Sequence, residues 1–97
     1  MPSSTHYLVC YDVTNNRERR RVAKVVEAYG LRIQLSVFEC RLSRTALGRL
    51  RKQLEALQLT TGGVDICRLD DRARRYQIGT PHTAETLAGK TTHALVV

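Results

Sequence analysis

The spacing of apolar residues predicts an α+β protein in which two amphipathic helices cover one antiparallel sheet. Three observations carry this prediction. Val22, Val25, Val26 and Tyr29 recur at helical spacing, as do Leu47, Leu50, Leu54 and Leu57. Around these stripes lie short runs rich in β-branched and aromatic residues. Asn, Ser and Gly stand at the joints, where caps and turns need them.

His6 to Val13 has almost no polar interruption, the pattern of a central strand. Thr14-Asn15-Asn16 supplies a turn and an N-cap for the first helix. Gly30 is expected to end that helix in the left-handed conformation. Arg32 to Leu42 reads as one second strand, with Ile33, Leu35 and Val37 on one side and Gln34, Ser36 and Phe38 on the other, and with a candidate bulge near Ser36. Ser43 caps the second helix and Thr60-Thr61-Gly62-Gly63 stops it. Val64 to Leu69 is a third strand, Asp70 to Arg75 a charged turn, and Tyr76 to Gly79 a short fourth strand. Thr80 to Thr92 is a polar connector leading to an apolar terminal strand, His93 to Val97.

With the small pieces merged, the order β-α-β-β-α-β predicts a ferredoxin-like sandwich with an extra short C-terminal strand. Residues 1–79 form its core, and 80–97 are the connector and last strand of the same single domain. An apolar strand left free invites aggregation, so the last one should pair with an edge of its own sheet or of a second copy. The uncovered sheet face predicts a symmetric homodimer.

A chain of 97 residues makes one domain with a modest core, and 42% hydrophobic with 26% charged residues is ordinary for a globular protein. The net charge of +7 is not ordinary at this length. It attracts polyanions and supplies the sequence-independent part of nucleic-acid affinity, although an acidic protein or an anionic membrane would also answer to charge alone. No apolar run approaches the roughly 20 residues of a membrane span. Met1-Pro2-Ser3-Ser4 lacks the layout of a signal peptide, so a cytoplasmic protein without a membrane partner is expected. Cys10, Cys40 and Cys67 are odd in number, lie in apolar segments and read as small buried hydrophobes; with His6, His82 and His93 they match no zinc spacing.

Chemistry concentrates behind the first strand. Asp12 ends the run Tyr7-Leu8-Val9-Cys10-Tyr11, where a carboxylate is expected to be poorly solvated and in need of a cation. Arg17, Arg19, Arg20 and Arg21 follow within ten residues, and guanidinium forks suit phosphate oxygens. An acid able to hold a hard metal beside a phosphate-binding cluster points to nucleic-acid chemistry or binding. The local alternative is that Asp12 caps a turn on nearby amides. Arg44, Arg49, Arg51 and Lys52 on the second helix, with Arg72, Arg74 and Arg75, read singly as solvated charge and together as a track for a phosphate backbone.

Tyr11-Asp12-Val13, then Arg19 and Arg21, then Tyr29-Gly30-Leu31-Arg32-Ile33-Gln34-Leu35-Ser36-Val37-Phe38-Glu39-Cys40, resembles a known family. It is similar to the second of the two universal CRISPR-associated proteins, the small nuclease-like adaptation subunit, over about Tyr7 to Leu69. The resemblance implies a ferredoxin-like homodimer whose terminal strand often packs on the partner. It implies that Asp12 faces its twin across the dimer axis and holds Mg2+ (or Mn2+), an ion that takes few protein ligands. It further implies metal-dependent cleavage of RNA or double-stranded DNA, and a place between two dimers of the CRISPR adaptation integrase during spacer insertion, where the basic surface supports the protospacer duplex.

Carried over residue by residue, Asp12 is the catalytic metal ligand, and Arg19 and Arg21 face nucleic acid, with one of them free to pair with Glu18 or Glu27. Arg32, matched in the second-strand motif, joins the nucleic-acid-binding set; Arg17 and Arg20 have no family counterpart and read as solvated charge, with Arg17 kept in that set for its place in the arginine cluster. Tyr11, Ser36, Phe38 and Glu39 are site or dimer contacts, with Phe38 favoured as core and Glu39 a general-base candidate by position only. The segment after Leu69 and the connector match nothing firm in the family pattern. Two functions follow from different classes: a magnesium-dependent endonuclease, or a non-catalytic DNA-binding scaffold bridging integrase dimers. A regulatory or toxin-type RNA-binding protein of this fold would keep the basic face but have no use for Asp12.

Overall fold

The computed structural model describes residues 3–70, 76, 78 and 79. They form β1 (Thr5–Val13), α1 (Asn16–Glu27), β2 (Gly30–Gln34), β3 (Val37–Leu42), α2 (Arg44–Ala56) and β4 (Gly62–Leu69). This is the ferredoxin-like α+β order. The sheet runs β2-β3-β1-β4 with every neighbour antiparallel, so β1 is central and pairs with β3 from Thr5 to Cys10 and with β4 from His6 to Val13.

Strand alternation decides the two faces. Val9, Tyr11 and Val13 of β1 and Phe38, Cys40 and Leu42 of β3 point into the core, against Val22, Ala23 and Val26 of α1 and Leu50 and Leu54 of α2. The helical stripes read from the sequence are thus the packed ones, with Val25, Tyr29, Leu47 and Leu57 at the core's margin. Both predicted N-caps form: Asn15 accepts from the Glu18 amide at 2.9 Å, and Ser43 from the Ala46 amide at 3.1 Å.

Four expectations are corrected. The segment Arg32 to Leu42 is not one strand: it folds back at Leu35-Ser36 into the antiparallel hairpin β2–β3, with a register shift between Arg32 and Gln34 in place of a bulge at Ser36. This hairpin supplies the middle β-β of the predicted order. Gly30 does not end α1 in the left-handed conformation. The C-cap is right-handed Ala28, and Gly30 opens β2, where a Cβ would collide with the Glu39 carbonyl and Cys40 across the ladder. Gly62 and Gly63 do not merely stop α2 but begin β4, opposite Val13 and Asp12. Of the cysteines only Cys40 is buried; Cys10 is half-buried and Cys67 exposed, because both lie on the helix-free face. Burial still raises the thiol pKa of Cys10 and Cys40.

Tyr76, Ile78 and Gly79, from the expected fourth strand, carry no strand pairing, and Tyr76 and Ile78 are exposed. The rest of the charged turn after Asp70, the connector 80–92 and the terminal strand 93–97 lie outside the described residues. Among the described residues no helix is long and apolar enough to cross a membrane.

Candidate functional site

β1 delivers Asp12 to the end of the sheet where α1 starts. Its neighbours Tyr11 and Val13 turn into the core, so alternation sends the Asp12 side chain to the other face, where it is exposed. This corrects the expectation of a poorly solvated carboxylate: an apolar run buries every second residue here, not each one. The carboxylate caps no turn either, for among the described residues it makes no hydrogen bond or ion pair.

Asp12, Arg19, Arg20, Arg32 and Ser36 line one cleft of about 520 Å³, with Tyr11 in its wall. Residues from three separate stretches of the sequence meet here because two sets of bonds draw the chain together. On one side the β2–β3 turn is pinned over β1. The Leu35 carbonyl accepts from the Tyr11 hydroxyl at 3.2 Å and from the Arg32 guanidinium at 3.2 Å, and the Ser36 carbonyl accepts from the Tyr11 amide at 3.0 Å. Arg32 also donates to Glu27 at 3.2 Å and lies 5.0 Å above the ring of Phe38, a cation–π contact. Burial raises the Tyr11 phenol pKa, and the Arg32 charge offsets part of that. The hydroxyl therefore stays protonated as a donor near neutral pH.

On the other side Glu18, in the first turn of α1, receives four donors from the loop before β4. These are the Thr60 amide at 3.0 Å and hydroxyl at 2.7 Å, and the Thr61 amide at 3.0 Å and hydroxyl at 2.6 Å. The bonds from Thr61 and then Thr60 hold the Glu18 carboxyl down to about 2. Thr61 returns the tie. Its carbonyl accepts from the Thr14 amide at 3.1 Å, and its hydroxyl from the Asn15 amide at 3.1 Å.

The predicted residues divide accordingly. Tyr11, Asp12, Arg19, Arg32 and Ser36 come together at the cleft. Arg19 is held beside Asp12 by bonds to the Val13 carbonyl, at 3.0 Å, and to Asn16. Phe38 is core, fully buried beneath Arg32. Arg17 and Arg21 are exposed on α1 away from the cleft lining, and Arg20, read as plain charge, lines it instead. Glu39 lies on the helix-free face against His6 at 3.0 Å and is not brought to Asp12. The expected pairing of Arg19 or Arg21 with Glu18 or Glu27 does not form, since Glu27 takes Arg32 and Glu18 takes the threonines.

Glu18 with Thr60 and Thr61 is the part that sequence reasoning missed. A signal existed in Asn15-x-x-Glu18, the spacing of a capping box, which marks Glu18 as an acceptor for backbone amides.

Among the described residues no three His, Cys, Asp or Glu side chains group to hold a metal ion. The side-chain oxygens of the cleft are the Asp12 carboxylate with the Ser36 and Tyr11 hydroxyls. Such a set fits a hard ion that keeps its waters and shares phosphate oxygens, and does not fit a closed zinc site.

Comparison with known proteins agrees with the arrangement. Residues 5–77 match the family model of the CRISPR-associated protein Cas2. The chain is 41% identical over 51 residues to the CRISPR-associated endoribonuclease Cas2 3 of Synechocystis sp., covering 53% of this chain and 55% of that protein. It therefore spans about half the length of that relative. It is 38% identical over 72 residues to the CRISPR-associated endoribonuclease Cas2 1 of Chloroflexus aurantiacus, covering 74% of this chain and 70% of that one. A crystal structure of a Cas2 protein superposes with a TM-score of 0.71 at 24% identity, covering 97% of this chain and all of the other, a likeness of fold. The strand-end aspartate, the arginines behind it and the hairpin that closes over them are carried on this shared frame, and the chain belongs to the Cas2 family of CRISPR-associated proteins.

Proposed function

We propose that the protein is a metal-dependent endonuclease of CRISPR adaptation that cleaves a phosphodiester in double-stranded DNA or single-stranded RNA at Asp12. The observation that carries this reading is an exposed carboxylate without a partner among the described residues, on the rim of a cleft lined by arginines. The endoribonuclease names of the Synechocystis and Chloroflexus relatives support it.

In this mechanism Asp12 would hold magnesium or manganese, with its twin in a symmetric homodimer as the second carboxylate. The ion, when bound, neutralises charge on the phosphodiester and acidifies water. Arg20 engages phosphate oxygens and stabilises the negative charge they carry in the transition state. Arg19, fixed to the Val13 carbonyl, sets the orientation of that arm of the cleft. Tyr11 and Arg32 keep the hairpin turn, with Ser36, in place over the strand end. The helix-free face of the sheet, with Leu8, Cys10 and Leu31, is the surface for the second copy.

A second reading has its own support. Arg17, Arg20 and Arg21 make no hydrogen bond or ion pair among the described residues, so three cations on one helix are free for a phosphate backbone. In that reading the protein is a scaffold that holds duplex DNA between integrase dimers and cleaves nothing. One experiment separates the two. Purified protein is given double-stranded DNA and single-stranded RNA, with magnesium or chelator, as wild type and as Asp12→Ala. Magnesium-dependent cleavage that Asp12→Ala abolishes is the expected result. Salt-sensitive binding without cleavage, equal in both proteins, would leave the scaffold.

A further inference from the structure

We propose that Glu18 is a positioning residue for Asp12, acting as a clasp that joins the start of α1 to the strand end beside the carboxylate. The inference rests on the nuclease reading of Asp12 and adds the group that fixes its place.

The geometry is a closed circuit. Glu18, in the first turn of α1, stands six residues after Asp12 and takes the amides and hydroxyls of both Thr60 and Thr61. Thr61 binds back to the Thr14 amide and hydroxyl through its carbonyl, and to the Asn15 amide through its hydroxyl. The next residues, Gly62 and Gly63, are the ladder partners of Val13 and Asp12. Every covalent route from Glu18 to Asp12 is thus doubled by a hydrogen-bonded one through β4. Gly62 is seated so closely on the Asp12 carbonyl that no Cβ fits between them. A shift of the Thr60–Thr61 loop therefore moves the backbone that carries the acid.

The choice of residue matters. A carboxylate has acceptor sites on both oxygens and can serve four donors; an amide of the same shape offers one oxygen and turns its NH2 toward N–H groups. A partner lost from such a set leaves the donors to water and loosens the loop. Arg19 and Arg20 need no clasp, because the helix itself holds them and Arg19 is tied to Val13. Loss of the clasp should therefore spoil alignment of Asp12 with the phosphate while leaving phosphate binding intact. Misplacement of a reacting group by about 1 Å costs up to ~100-fold in rate.

The test uses the full chain as wild type, Glu18→Gln, Thr60→Val and Asp12→Ala. Thr60→Val removes one hydroxyl donor and keeps the Thr60 amide bond, so it serves if Glu18→Gln folds poorly. Amide hydrogen exchange is followed at residues 12–14 and 60–63 alongside kcat and KM on the cleaved substrate. Faster exchange confined to those residues, with kcat down about 10-fold or more in Glu18→Gln, a smaller drop in Thr60→Val, and KM within about 2-fold, is the expected result. Unchanged exchange in both variants overturns the clasp, whatever the cleavage assay gives. Faster exchange with unchanged kcat, while Asp12→Ala is inactive, overturns positioning and leaves a stability role. A fall in Tm with activity per folded molecule preserved does the same. Cleavage that survives in Asp12→Ala defeats the nuclease reading instead, and overturns positioning with it. Exchange then reports only whether the clasp holds the strand end.

Discussion

Asp12 owes its openness to the two residues across the ladder. Gly63 faces it and Gly62 faces Val13, so β4 sets no side chain beside the carboxylate. The two glycines are nonetheless unequal. A Cβ on Gly63 meets nothing within 4 Å, whereas one on Gly62 strikes the Asp12 carbonyl and Val13. Gly63→Ala is therefore expected to leave stability within about 0.5 kcal/mol of wild type. Gly62→Ala should lose about 1–3 kcal/mol, the range for an overfilled site. Urea titration of the pair checks both values. At this scale the sequence was informative where chemistry is local: Asp12, Arg19 and the two caps are legible because strand ends and helix starts have their own residue preferences. It misled on exposure, since a run such as Tyr7 to Tyr11 does not say which alternate residue faces the helices. Glu18 was visible as an amide acceptor but not as a clasp, because its partners lie 42 and 43 residues along the chain.

Among the elements, α1 and the β2–β3 hairpin are the two jaws of the cleft, and each is fastened differently. The hairpin is held by neutral donors and by Arg32 stacked on Phe38, which no proton removes at moderate pH. The α1 jaw hangs on a carboxylate whose pKa is lowered from 4.5 to about 2 by the threonine bonds. A depressed acid adds stability that is complete above its unfolded pKa and is lost as pH falls through its folded one. The contribution of Glu18 should accordingly be whole above about pH 4.5, fade between there and about pH 2, and vanish below. Denaturation midpoints measured across that window should fall more steeply for wild type than for Glu18→Gln. The hairpin itself was the least legible element. Leu35-Ser36 has neither Gly nor Pro nor Asn to announce a turn, so Arg32 to Leu42 reads as unbroken strand. What bends it is tertiary: the Tyr11 hydroxyl and amide, on the neighbouring strand β1, capture the turn carbonyls.

At the largest scale the described residues present two surfaces of different character. One is the helix-free sheet face, where Leu31 is 69% exposed and Leu8 and Cys10 are half-buried. The other is the end of the sheet with its cleft and the arginines of α1 that have no partner among the described residues. A net charge of +7 favours any polyanion at a distance, but only cations free of partners release counterions on contact. If Arg17, Arg20 and Arg21 each meet one phosphate, raising salt fourfold should weaken duplex binding about 40-fold. Replacing one of the three by Ala should lower the slope by about 1. Fluorescence anisotropy over a salt series reads both. The ferredoxin-like class was legible from periodicity because each helix stripe and strand pattern agrees with the others.

The two fastenings of the cleft also bear on when the site comes into being. Tyr11 to Leu35 joins residues 24 apart, and Glu18 to Thr60 residues 42 apart. Bonds of such separation form only after the intervening chain has closed its loops. A chain emerging during synthesis displays Asp12 and its arginines early, yet Asp12 lacks its ladder partners and the Glu18 clasp until β4 docks. Alignment of Asp12 would then be completed in one late step, when β4 joins the sheet.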